Sequence, residues 1–95
     1  MKNQITLLVV DDEQNTLNGL REILTEEGYN VLTSPTAEEG LKLLQENEIH
    51  LVITDMKMPG MDGMEFSRTI LKQNHDIQII IITAFGSVKS AVEAM

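Results

Sequence analysis

Four times along the chain, a short run of aliphatic and β-branched residues gives way to a stretch where apolar residues return every three or four positions. Ile5-Thr6-Leu7-Leu8-Val9-Val10 is almost continuously apolar, the pattern of a parallel strand covered on both faces. It stops at Asp11-Asp12-Glu13, after which Leu17, Leu20, Ile23 and Leu24 recur at helical spacing until Gly28 ends the helix. Asn30 to Ser34 is a shorter and less apolar run, suited to a sheet edge. After Pro35, Thr36-Ala37-Glu38-Glu39 has the capping-box pattern, in which Thr36 accepts from the amide three residues on and Glu39 reaches back. Ala37, Leu41 and Leu44 form the stripe of this second helix, which ends near Glu46-Asn47. A third strand, His50 to Thr54, leads into a loop containing Pro59, Gly60 and Gly63, where the glycines permit positive φ or close backbone approach. A helix from about Met64 to Gln73 then turns Phe66, Ile70 and Leu71 inward. Gln78 to Thr83 holds four consecutive isoleucines, which ask for apolar cover on both faces. Ser87 is placed to cap a fourth helix with the stripe Val88, Ala91, Val92 and Met95.

Four β-α units in alternation predict an α/β fold, a doubly wound parallel sheet with right-handed crossovers and helices on both faces. The weak apolar character of Val31 to Ser34 favours the flavodoxin-like order 2-1-3-4, with strand two at the edge. In that order strands one and three are neighbours whose connections leave in opposite directions. A crevice opens at their C-terminal ends, and Asp11, Asp12 and Asp55 all fall there.

The length of 95 residues allows one domain, residues 1–95, and a chain this short buries only somewhat over roughly 60% of its unfolded surface. A formal charge of -8, with seven basic residues scattered singly, argues against a nucleic-acid surface, which draws its affinity from Lys and Arg on phosphates. Acidity leaves room for a cation or a basic protein partner, although a solubilising surface accounts for most of it. No apolar run approaches the about 18 residues of a membrane span, and the run after Met1-Lys2-Asn3-Gln4 is too short for a signal peptide. Together with the lack of cysteine, this is compatible with a cytoplasmic protein.

Carboxylates within about 4 Å of one another repel by roughly 4 kcal/mol per pair at an effective dielectric near 20. A divalent cation is the natural compensation, and an all-oxygen donor set favours Mg²⁺, or Mn²⁺, over Zn²⁺. Taken singly, Asp11 and Asp12 read equally as acids at a helix start, and Asp55 as a turn residue. Together at one crevice they read as a site. A carboxylate such as Asp55 is a weak nucleophile that needs an electrophile whose charge a metal can offset, and a phosphoryl group meets that description. Thr83 ends the neighbouring strand, where its hydroxyl could meet a phosphoryl oxygen, though a β-branched residue also simply finishes a strand. His50 begins a strand and His75 lies in a linker, both away from the crevice; Met56 and Met58 flank it, and Phe85 in the loop after Thr83 is a candidate partner contact.

Asp11-Asp12, the stretch Asp55-Met56-Lys57-Met58-Pro59-Gly60-Met61-Asp62-Gly63, and Ile82-Thr83-Ala84 resemble the receiver domain of bacterial two-component response regulators. The resemblance runs from strand one to the last residue. It implies that Asp55 accepts a phosphoryl group from a sensor histidine kinase and that Asp11, Asp12, Asp55 and the Lys57 backbone carbonyl hold Mg²⁺. It also implies that Thr83 is a switch residue and that Ala84 is small where the phosphodonor approaches. Thr83 to Met95 further resembles receivers attached to AAA+ transcriptional activators of the nitrogen-regulation type. Such receivers carry a fifth strand with a lysine, and a fifth helix, which would lie beyond Met95. The expectation is therefore a receiver truncated after helix four, with an exposed edge at Ile79 to Ile82 through which, with helix four, two copies could associate.

On this reading the chain is a phosphoacceptor switch rather than an enzyme, with at most self-phosphorylation and self-dephosphorylation. A pseudo-receiver used for dimerisation stays open because the lysine is missing. An aspartyl-phosphate hydrolase would want a second aspartate two residues after the nucleophile, where Lys57 stands. A flavin domain would want a Ser/Thr/Gly-rich loop where Asp11-Asp12-Glu13 stands.

Overall fold

The computed structural model describes residues 4–74 and 76–83. The apolar runs become four five-residue strands, β1 (Thr6–Val10), β2 (Asn30–Ser34), β3 (Leu51–Asp55) and β4 (Gln78–Ile82). Between them lie α1 (Gln14–Glu26), α2 (Ala37–Glu46) and α3 (Gly63–Gln73). All pairings are parallel and the order is β2-β1-β3-β4, the flavodoxin-like winding that the weak second strand pointed to. The predicted fourth helix, with Ser87 and its stripe, lies outside the described residues, as do Ala84 and Phe85.

The pleat sorts β1 and β3 onto two cores. On one face Val9 and Ile53 meet Leu17 of α1, flanked by Leu20, Leu24, Val31 and Leu51. On the other, Leu8, Val10 and Val52 pack with Ala37 of α2 and with Phe66 and Ile70 of α3, closed by Ile49, Met58 and Ile77. The register Val10↔Thr54 and Asp55↔Ile82 brings the C-terminal ends of the three strands level, so the residues that follow them share one rim.

Several details depart from the sequence pattern. Leu71 is 41% exposed and Ile23 60% exposed, although both fit an apolar count. Each sits roughly 90° around its helix from the centre of the buried stripe, and in α3 the inward position goes instead to Ser67. The Ser67 hydroxyl can be buried because it donates to the Gly63 carbonyl at 2.8 Å. Ile80 and Ile82 are 49% and 43% exposed, so the described residues leave this face of β4 partly open. Ile80 aligns with Ile53 and shares its face, but α1 packs on β1 and β2, two strands away from β4. The capping box forms by half: Thr36 Oγ1 accepts from the Glu39 N–H at 3.1 Å, whereas the Thr36 N–H turns to Ser34 Oγ at 3.4 Å. β3 starts at Leu51, and His50 before it accepts the Thr6 N–H on Nδ1 at 3.0 Å, at the end of the sheet opposite the aspartates.

Candidate functional site

β1 and β3 deliver the aspartates. Asp11 is the first residue past β1; its N–H donates to the Ser34 carbonyl at 3.2 Å, which continues the β1-β2 ladder to the rim. Its carboxylate accepts the Glu13 N–H at 2.9 Å, turning the chain into α1. The helix begins only at Gln14, with no acidic residue in its first turn, so Asp11 and Asp12 stand ahead of the helix rather than inside it. Asp55 is the last residue of β3, half-buried, beside β1.

One oxygen from each of Asp11, Asp12 and Asp55 lies within 4.8 Å of the other two. This is the cluster that the topology called for. Its electrostatic cost shows on Asp11, whose carboxyl is pushed above the usual carboxylate value. Burial is the main cause; the Glu13 N–H opposes it, and the charges of Asp55, Asp12 and Glu13 add to the rise. Hard oxygen donors, no sulfur or imidazole, and a spread near the roughly 4.2 Å that separates opposite ligands of an Mg²⁺ octahedron make a donor set that fits a small divalent cation.

The connection after Asp55 is short and closed. The Met56 N–H donates to Ile82 O at 2.8 Å, extending the β3-β4 ladder by one residue, and the Gly63 N–H returns to Met56 O at 2.8 Å. Between these points Met58 is buried beneath the loop, Gly60 takes a φ of 79°, and Asp62 Oδ1 caps α3 by accepting the Glu65 N–H at 2.9 Å. Lys57 is exposed on this loop, two residues from Asp55. Thr83 is exposed and directly follows Ile82, the register partner of Asp55.

The family profile described as response regulator receiver domain matches residues 7–95, nearly the whole chain. The chain belongs to the response regulator receiver domain family. Among curated proteins this receiver is 43% identical over 88 residues to the transcriptional regulatory protein GlrR of Escherichia coli (strain K12), covering 93% of the chain and 20% of GlrR. It is 37% identical over 95 residues to the transcriptional regulatory protein ZraR of Salmonella typhimurium, covering 100% of the chain and 22% of ZraR. The receiver thus spans about a fifth of the length of these relatives.

Among solved structures it resembles a receiver domain protein from Clostridium thermocellum, at 40% identity and a TM-score of 0.82, over 96% of this chain and 74% of that one. The response regulator TrrA of Thermotoga maritima, solved in complex with Mg²⁺-BeF, matches at 40% identity and a TM-score of 0.83, over 96% of this chain and 79% of TrrA. TrrA solved in complex with the histidine kinase ThkA matches at 42% identity and a TM-score of 0.83, over 88% of this chain and 72% of that one.

One neighbour of Asp55 carries no chemistry in the sequence pattern. Thr54 is fully buried, and its hydroxyl donates to the Asp55 carbonyl at 3.0 Å, with Met58 Sδ 4.0 Å away. A single hydroxyl in an otherwise aliphatic strand, immediately before the carboxylate, is the signal that marks it.

Proposed function

We propose that this receiver accepts a phosphoryl group on Asp55 from a sensor histidine kinase, with Mg²⁺ held by Asp11, Asp12 and Asp55, and so serves phosphorelay signalling to a transcriptional regulator. The observation that carries the reading is the convergence of three carboxylates from β1 and β3 at one rim, ligand atoms within 4.8 Å of each other. Kinship with transcriptional regulatory proteins, with a response regulator solved with Mg²⁺-BeF, and with one solved on a histidine kinase supports it.

In the transfer, an Asp55 carboxylate oxygen forms a bond to phosphorus as the bond from phosphorus to the kinase imidazole nitrogen breaks, the electron pair staying on the imidazole. Bound Mg²⁺ would supply charge neutralisation for the phosphoryl oxygens. Asp12, exposed at the rim, and Asp11 would hold the cation from the β1 side, while Asp55 would serve as both ligand and nucleophile. The Lys57 carbonyl is read as a further oxygen ligand, and Ala84 as the small residue past which the donor approaches. The place of Thr83, one residue beyond the register partner of Asp55, suits a hydroxyl that binds the transferred group. We read residues 1–95 as one receiver domain, a switch rather than an enzyme, acting in the cytoplasm; no helix among the described residues is long and apolar enough to cross a membrane.

Incubation with Mg²⁺ and acetyl phosphate, read by intact mass, tests the reading. The wild-type chain is expected to gain one phosphoryl group, and Asp55→Asn none. Equal gain by both would place the acceptor elsewhere, and a folded wild type that gains nothing would overturn the function.

A further inference from the structure

We propose that Asp55 is held through its own peptide, with the Thr54 hydroxyl and the bare Cα of Gly63 as positioning residues for phosphoryl transfer. This rests on the phosphoacceptor role of Asp55 proposed above. The peptide unit that joins Asp55 to Met56 is held at its oxygen, at its N–H and by close packing of Gly63. Its oxygen accepts from Thr54 Oγ1 at 3.0 Å. Its N–H, that of Met56, donates to Ile82 O at 2.8 Å. Gly63 lies against it so closely that a Cβ there would collide with the Asp55 carbonyl oxygen and come within 2.9 Å of Met56 Cα and 3.1 Å of the Asp55 carbonyl carbon. Gly63 is in turn fixed by its N–H to Met56 O and by the Ser67 hydroxyl on its carbonyl, both at 2.8 Å.

Two torsions separate the Asp55 carboxylate from this clamped backbone, so a few tenths of an ångström of slack at the peptide passes directly to the nucleophilic oxygen. Reaction geometry is sensitive to displacements of that size. A valine would fill the space of Thr54 without the burden of a buried hydroxyl, so the threonine is explained by the bond it makes. The absence of a side chain at 63 has a like explanation. Its need is for room, since its φ is not in the positive region that glycine alone adopts readily.

The test compares Thr54→Val, Thr54→Ser, Gly63→Ala and Gly40→Ala in the 95-residue chain. The last is a crowding control that leaves the Asp55–Met56 peptide and its hydrogen bonds untouched, because a Cβ at Gly40 would press on the side chains of Phe66, at Cζ 3.0 Å, and Val10, at Cγ2 3.2 Å, in the core. With acetyl phosphate and Mg²⁺, Thr54→Val is expected to slow phosphorylation about fivefold and Gly63→Ala about tenfold or more, whereas Thr54→Ser and Gly40→Ala stay within about twofold of wild type. Hydrogen exchange at the Met56 amide should quicken in Thr54→Val and Gly63→Ala and hold steady in Gly40→Ala. Should Gly63→Ala fail to fold, the Thr54 pair decides. The proposal falls if Thr54→Val matches wild type in rate and in Met56 exchange, if Thr54→Ser is as slow as Thr54→Val, or if the rates of all four variants simply follow their stabilities. Wild type that accepts phosphate while the variants equal it defeats the clamp alone; wild type that accepts none defeats the phosphoacceptor reading and the clamp with it.

Discussion

Asp11 holds its proton more tightly than an ordinary aspartate, first because it is partly withdrawn from water, against the pull of the Glu13 N–H, and then because Asp55, Asp12 and Glu13 surround it with negative charge. The sign of the consequence follows from linkage. The native form binds the proton more strongly than the unfolded chain, so stability is lost as pH rises from the ordinary value of 3.8 through the raised native one. At neutral pH without divalent cation, ionised Asp11 therefore works against the fold. Asp11→Asn keeps the size of the side chain and removes the charge. It is expected to be more stable than wild type at pH 7 in chelator, with the advantage shrinking as the pH is brought down through that window. Urea unfolding at pH 7 and at mildly acidic pH checks this, and a variant less stable than wild type at pH 7 would show that the gain from a charged acceptor for the Glu13 N–H outweighs burial and repulsion together.

Helices and strands were legible to the extent that apolar periodicity alone decides them. The run at β1, the break at Asp11 and the stripe at Leu17 sufficed for the first β-α unit, and the weakness of β2 sufficed for its place at the edge. The convergence of the three aspartates followed from topology, because strand order alone puts the ends of β1 and β3 side by side. What periodicity missed is where a polar group earns its burial through a local bond. Ser67 displaces Leu71 from the interior of α3, and Thr54 serves the backbone behind Asp55, since hydropathy weighs a side chain and not its hydrogen-bond partner. Two outcomes separate these cases. Ile70→Ala, at 2% exposure, is expected to cost about 2–5 kcal/mol, while Leu71→Lys stays within about 0.5 kcal/mol of wild type in the same denaturation assay. At the start of α2, Thr36→Ala removes the acceptor of the Glu39 N–H and should cost about 1 kcal/mol. Glu39→Ala should cost less, because the Glu39 carboxylate meets the Thr36 hydroxyl, at 3.4 Å, while the Thr36 N–H turns to Ser34 Oγ.

Across the whole molecule, a net charge of -8 gives two ways for cations to stabilise the fold, and they can be told apart. Monovalent salt screens the general self-repulsion over a Debye length of about 10 Å at 0.1 M and acts on every exposed carboxylate alike. A cation bound at the rim acts on the cluster of three carboxylates and adds RT ln(1 + [L]/Kd), about 2.7 kcal/mol when free Mg²⁺ is a hundredfold above its dissociation constant. Thermal unfolding in MgCl₂ and in NaCl of equal ionic strength should therefore give a larger rise with Mg²⁺, increasing with the logarithm of its concentration instead of levelling off with screening. Asp11→Asn and Asp55→Asn together remove two of the three carboxylates while taking the net charge only from -8 to about -6. The NaCl response should survive in the double variant nearly intact, and the excess due to Mg²⁺ should disappear. If instead the double variant keeps the whole Mg²⁺ excess, the cation acts on the diffuse charge of the surface, and the cluster at the ends of β1 and β3 is no metal site.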